Sequence, residues 1–167
     1  MTAAASTTPE QPTEKATFAA GCFWGVEYKF SKQPGVLSAT SGYEGGFVEN
    51  PSYKQVCTDR TGHAEVVEIV FDPAKTHYET LVRYLFAIHD PTTLNRQGPD
   101  VGTQYRSAIF FHSPAQKAVA EQVIAELNQS TFGGKIVTQV LPAATFWPAE
   151  EYHQKYVEKH PGHHCAL

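Results

Sequence analysis

The chain has 167 residues, 41% hydrophobic and 18% charged, a composition that fits one ordinary globular domain with a core of its own. Seventeen acidic against thirteen basic residues give a net charge of −4 with no strongly basic window, which excludes nucleic acid as a main partner. No apolar stretch approaches the ~20 residues of a membrane helix, and three cysteines without Cys-x-x-Cys spacing point to an intracellular, cytoplasmic setting.

Residues 1–14 (MTAAASTTPEQPTE) are small and polar, with neither a basic start nor an apolar core of ~7–15 residues, so they read as a disordered leader and not as a signal peptide. A single domain is expected over residues 15–160. Ala16 to Ala20 is a short apolar run, predicted as a buried strand stopped by Gly21. From Cys22 the period changes: Phe23, Val26 and Phe30 fall at i, i+3 and i+7, one face of a helix. Val36 to Ser41 suggests a second strand, and so compact a β–α–β unit favours parallel strands with a right-handed crossover. Residues 42–62 are dense in turn formers, with little regular structure beyond a helical turn near Ser52 to Cys57. Ordered loops of this length are usually functional.

Ala64 to Phe71 follows as a strand. Thr76 and Glu79 form a capping-box pattern for a helix with Tyr78, Leu81, Val82, Leu85 and Ile88 inward. A second long loop leads into a strand at 105–111, and Ser113, Pro114 and Gln116 open a helix striped by Val119, Val123 and Leu127. Ile136 to Leu141 is the last predicted strand and Pro148 to His160 the last helix, with Glu151 and Lys155 as an exposed i, i+4 pair. Residues 161–167 form an expected mobile tail. The fold class is α+β, a two-layer sandwich with a mixed, about five-stranded sheet, flanking helices and long functional loops.

Two residues stand out chemically. Cys22 lies where a strand gives way to a helix, so its sulfur faces unpaired N–H groups that stabilise a thiolate; a packed, inert cysteine is the plain alternative. Glu65 shares a strand face with Val67, Ile69 and Phe71. It sits either at the mouth of the core, where desolvation favours a protonated general acid, or at a solvated strand end. The loops add Tyr43, Tyr53, Asp100, Tyr105 and Arg106, polar groups able to converge on a substrate atom. Phe146, Trp147, Tyr152 and Tyr156 read as core or staple residues. Two rival schemes remain: a thiol hydrolase with His63 or His89 as base, and a metal-binding module built on His160, His163, His164 and Cys165. Four ligands within six residues close a tetrahedron poorly, so no metal is expected.

Gly21-Cys22-Phe23-Trp24-Gly25 resembles the signature of the A-class peptide-methionine sulfoxide reductases. Gly42-Tyr43-Glu44-Gly45-Gly46, Asn50-Pro51-Ser52-Tyr53, Gly62-His63-Ala64-Glu65, the run from Gly98 to Ser107, and Tyr152-His153-Gln154-x-Tyr156 follow in family order. The resemblance implies a ferredoxin-like core and reduction of the S epimer of free or protein-bound methionine sulfoxide, one reductase serving each epimer. It implies Cys22 as the nucleophile that ends as a sulfenic acid, and Glu65 as proton donor. Tyr53, Asp100 and Tyr105 match positions that hold the sulfoxide oxygen or order a water; Phe23 and Trp24 match the apolar bed for the S-methyl group. Cys165 is the expected resolving cysteine, its tail free to swing toward Cys22, with Cys57 read as a packed residue or a second route. Thioredoxin, or dithiothreitol in its place, is the implied reductant, without a bound cofactor.

Overall fold

The computed structural model describes residues 12–159. The leader lies outside them except for its last three residues, and Glu14 already pairs as a strand. The tail, with Cys165 and its neighbouring histidines, lies outside them as well.

Strand β1 (Glu14–Ala20) runs through the middle of a six-stranded sheet ordered β7-β6-β1-β3-β2-β8. The other strands are β2 (Val36–Glu44), β3 (Ala64–Phe71), β6 (Ser107–Phe111), β7 (Gln139–Pro142) and the two-residue β8 (Trp147–Pro148). Strands β4 (Arg96–Gln97) and β5 (Asp100–Val101) make a separate ribbon inside the second long loop. All main-sheet pairs are antiparallel except β6 with β7.

Helix α1 (Phe23–Ser31) connects β1 to β2, which do run parallel, but they are not neighbours. Strand β3 lies between them, antiparallel to both. This split β–α–β arrangement is the ferredoxin-like order. Placing β3 beside β1 brings the start of β3 next to the start of α1.

Helices α1, α3 (Tyr78–Ile88) and α4 (Pro114–Leu127) cover one face, burying Phe23, Val26 and Phe30 with Phe18, Val67, Ile69, Leu81 and Leu85. The other face is smaller: Ala19, Ala64, Val66, Ala108 and Phe110 pack under Leu141, Ala143 and Phe146.

Several boundaries differ from the sequence reading. β2 continues to Glu44, because Tyr43 and Glu44 pair with Glu65 and Ala64. Ser113 caps α4 as expected, accepting from the Gln116 N–H. The Thr76–Glu79 box does not form: His77 is the N-cap, Thr76 is buried beneath Gly35, and Glu79 turns to Arg83. β7 begins late, because the Ile136 and Val137 N–H groups go to the Asn128 side chain and the Pro91 carbonyl.

The expected last helix is broken into β8, a 3₁₀ turn (Glu151–His153) and a single helical turn α5 (Tyr156–Lys159). Long-range bonds outweigh its local propensity: the Gln154 amide grips both backbone groups of Ser41, and the Glu27 carboxylate takes the Lys155 N–H, with Lys155 at φ 55°. Glu151 accordingly pairs with Lys159 and not with Lys155.

Candidate active site

Gly21, at φ 92°, turns the chain out of β1, and Cys22 becomes the half-buried N-cap of α1. The next N–H, that of Phe23, donates to Glu65 Oε1 at 3.1 Å. Glu65 is 1% exposed. The period-2 reading of β3 therefore puts Glu65 on the core face, under the helix start, and the solvated strand end is not what forms.

Helix α2 (Tyr53–Val56) carries Tyr53 on the full capping box of Ser52 and Gln55. The Tyr53 ring stacks near Phe23 and Trp24, at 6.2 and 6.3 Å between centroids, and lies 4.3 Å from His153. Trp24 Nε1 donates to His153 Nδ1 at 2.9 Å, and Tyr156 stacks on Trp24 at 3.8 Å. Phe23, Trp24, Tyr53 and His153 thus form an aromatic wall beside Cys22.

Glu150 fixes this wall from behind. Its carboxylate accepts from the Tyr43 hydroxyl and the Tyr53 N–H, both at 2.9 Å. Although burial opposes it, these bonds hold Glu150 below the usual carboxylate range. Tyr43, fully buried, is a structural partner and is not exposed on a loop.

Tyr105 ends the 3₁₀ turn Thr103–Tyr105, and Asp100 lies on β5 just before it. Burial pushes the Tyr105 hydroxyl upward, followed by the charges of Glu65, Cys57, Asp100 and Cys22. Burial also raises Tyr53, with Glu65 as the next contributor. Both phenols therefore stay protonated, as donors. Asp100 is raised by desolvation. Arg106 points elsewhere: its guanidinium donates to the Thr103 and Gly62 carbonyls, and Asp59 accepts from the Thr103 N–H, which ties the two long loops together.

Cys22, Phe23, Trp24, Tyr53, Glu65, Asp100 and Tyr105 are thus within reach of one another; Cys165 is outside the described residues. Cys57 is exposed and not the packed residue expected; its thiol joins the rim, hydrogen-bonded with Tyr53 and pushed up by partial desolvation of the sulfur. His63 and His89 have both ring nitrogens engaged, with Gly46 and Val48 and with Leu85 and Ser107, so neither is placed as a base for Cys22. Glu150, His153 and Tyr156 were missed as site residues, and Tyr152 is 59% exposed instead of packed in the core. Their segment has no helical or strand period, and its sequence signal is the family-like run Tyr152-His153-Gln154-x-Tyr156, which includes His153 and Tyr156 but not Glu150.

A cysteine at a helix start, a buried carboxyl on the adjoining strand and phenol donors facing an aromatic wall are the groups of a thiol-based enzyme, here on a ferredoxin-like sheet. The family model described as peptide methionine sulfoxide reductase matches residues 14–167, and the chain belongs to that family. The peptide methionine sulfoxide reductase MsrA of Acidobacterium capsulatum is 61% identical over 146 residues, covering 87% of this chain and 94% of the relative. Mxr1 of Saccharomyces cerevisiae in its reduced form superposes with a TM-score of 0.88 at 36% identity, covering 96% of this chain and 94% of the yeast one. The same yeast protein in complex with Trx2 matches with a TM-score of 0.63 at 25% identity, over 90% and 91% of the two chains.

Proposed function

We propose that this chain reduces the S epimer of methionine sulfoxide, free or within an oxidised protein, using Cys22 as nucleophile and Glu65 as acid. The observation that carries the assignment is the 3.1 Å bond from the Phe23 N–H to Glu65, which seats a buried carboxyl one residue from the thiol. The Cys22 thiolate attacks the sulfoxide sulfur at the start of α1. Oxygen is a poor leaving atom until protonated, and Glu65, buried beside the start of α1, supplies the proton. The sulfoxide sulfur gains two electrons and leaves as methionine; Cys22 loses them and holds the oxygen as a sulfenic acid.

Tyr53 and Tyr105, kept as neutral donors, hold the sulfoxide oxygen, and Asp100 orders a water beside them. Phe23 and Trp24 form the bed for the S-methyl group, with His153 as its third side. An apolar wall opposite oxygen-directed donors accepts one stereoisomer and rejects its mirror arrangement.

Cys165, carried on the tail that follows the catalytic domain of residues 15–160, then condenses with the sulfenic acid, releasing water and leaving a disulfide. Thioredoxin reduces that disulfide, a partner supported by the yeast relative solved with Trx2. This cycle uses no bound cofactor and runs in the cytoplasm; among the described residues no helix is long and apolar enough to cross a membrane.

A single turnover with racemic sulfoxide and no reductant, with thiols counted afterwards, tests the scheme. Wild type should yield one methionine per chain from the S epimer and lose two thiols. Cys165→Ser should still yield that methionine but fail to turn over with thioredoxin. Methionine from Cys22→Ser would overturn the assignment.

A further inference from the structure

The outer edge of β2 is closed at one end only. Strand β8 pairs with Gly42 and Tyr43. One step back, the Ser41 N–H donates to Gln154 Oε1, and its carbonyl accepts from Gln154 Nε2 and the Ala149 N–H, each at 2.9 Å. The Gln154 side chain thus imitates one residue of a neighbouring strand. Backbone groups of alternate residues point the same way in an antiparallel ladder, so the N–H and C=O of Ala39 face outward beside those of Ser41. No described residue bonds them. Edge protection here is slight: the register shifts between Val36 and Ser38, but Leu37, Ser38, Ala39 and Thr40 offer no proline and no charge.

A groove of about 600 Å³ runs along this edge, between residues 36–40 of β2, the C-terminal half of α1 and the 151–159 segment. Six charged residues line it, three of each sign: Lys32 pairs with Glu158 and Lys159 with Glu151, and Glu27 lies beside Lys155. A rim neutralised in this way does not select an anion or a cation. What the groove leaves unused is a main-chain donor and acceptor in strand register, with Leu37, 55% exposed, as an apolar contact at one end.

We propose that this edge takes, by strand addition, the backbone of an extended polypeptide: the segment flanking the oxidised methionine in a protein substrate. The proposal rests on the reductase reading above. Continuity with the site argues for this occupant. Helix α1 starts at Cys22 and forms one wall of the groove from Glu27 to Lys32, roughly 7 to 15 Å along the axis at about 1.5 Å per residue. An extended chain advances about 3.3 Å per residue. Residues about two to four positions from the methionine therefore lie over Ala39 when the sulfoxide is at Cys22. The bonds on offer are the main-chain ones of β-augmentation, which accept any sequence and suit an enzyme meeting many oxidised proteins.

The test uses the intact enzyme with dithiothreitol and capped peptides that extend from methionine sulfoxide by one to six residues on either side. Extension on one side should raise kcat/KM about tenfold, the worth of two added backbone hydrogen bonds, and level off near four residues. Extension on the other side should change little. Ala39→Pro removes the outward N–H without touching the β3 ladder, a placement that edge strands tolerate. It should leave N-acetyl-methionine sulfoxide amide turnover unchanged and erase the length-dependent gain. In wild type, hydrogen exchange at the Ala39 amide should slow when the product peptide is added; this readout needs no variant to fold.

A flat length dependence on both sides would overturn the proposal, as would an equal loss on the capped amino acid in Ala39→Pro. A raised KM for thioredoxin in that variant, with the peptide gain intact, would assign the edge to the reductant instead. If wild type fails on the capped amino acid itself, the reductase reading falls, and this one with it.

Discussion

Two buried carboxyl groups sit on adjacent rungs of the β2–β3 ladder, where Tyr43 pairs with Glu65 and Glu44 with Ala64. Both are 1% exposed, but they lie on opposite faces of the sheet. Glu65, on the helix-covered face, meets the first N–H of α1 and the phenols around Cys22. Glu44, on the other face, accepts from the Ala144 N–H at 2.9 Å, and its Oε1 has no hydrogen-bond partner among the described residues. Burial, opposed by that bond and assisted by Glu68, pushes Glu44 up to about 7. An elevated acid such as Glu44 is thus no mark of a catalytic site by itself; what separates the pair is that only Glu65 lies beside Cys22 at the start of α1.

The contrast can be broken most severely at the sulfur. Cys22→Ser should abolish methionine formation, read by single-turnover chromatography, with the fold unchanged by circular dichroism. Glu65→Gln can still accept the Phe23 N–H but holds no transferable proton, so sulfoxide reduction should slow by about 10²–10⁴-fold while melting hardly moves. Glu150→Ala removes the common partner of Tyr43 and Tyr53; we expect a loss of about 1–3 kcal/mol in denaturant titration and a KM raised severalfold.

Glu44→Gln is the mildest change for catalysis and should leave kcat alone. Its effect is on stability against pH. The native carboxyl keeps its proton to about 7, whereas the unfolded chain releases it near 4.5. Between those values the native state binds more protons, so this group lowers stability as pH rises and leaves the full deficit above 7. Glutamine should therefore gain about 1–3 kcal/mol at pH 8 and nothing at pH 4, measured by urea unfolding at both.

Local patterns were readable where local forces decide. The Ala64–Phe71 strand, the Ser113 cap and the Phe23, Val26, Phe30 stripe follow from alternation, capping chemistry and helical period. The same alternation put Glu65 on the right face, and the Gly21–Cys22 junction put the thiol at a helix start. The insertion of β3 between β1 and β2 was not readable, since strand order depends on pairing between distant segments. Nor were the roles of Glu150, His153 and Gln154: their segment has no period, and its shape comes from partners more than 95 residues away, such as Trp24, Ser41 and Tyr53.

That last segment has a further consequence. Between Trp147 and Lys159 the chain holds little regular structure and is fastened to the body by side-chain links, polar ones to Glu27, Ser41, Tyr43 and Trp24 and ring contacts of His153 and Tyr156 with Trp24. One wall of the pocket is thus a detachable panel, while Cys22 stands on the permanent frame. Mild urea should open the panel before the frame yields, so that affinity for sulfoxide fades at concentrations where far-ultraviolet ellipticity still reports an intact protein.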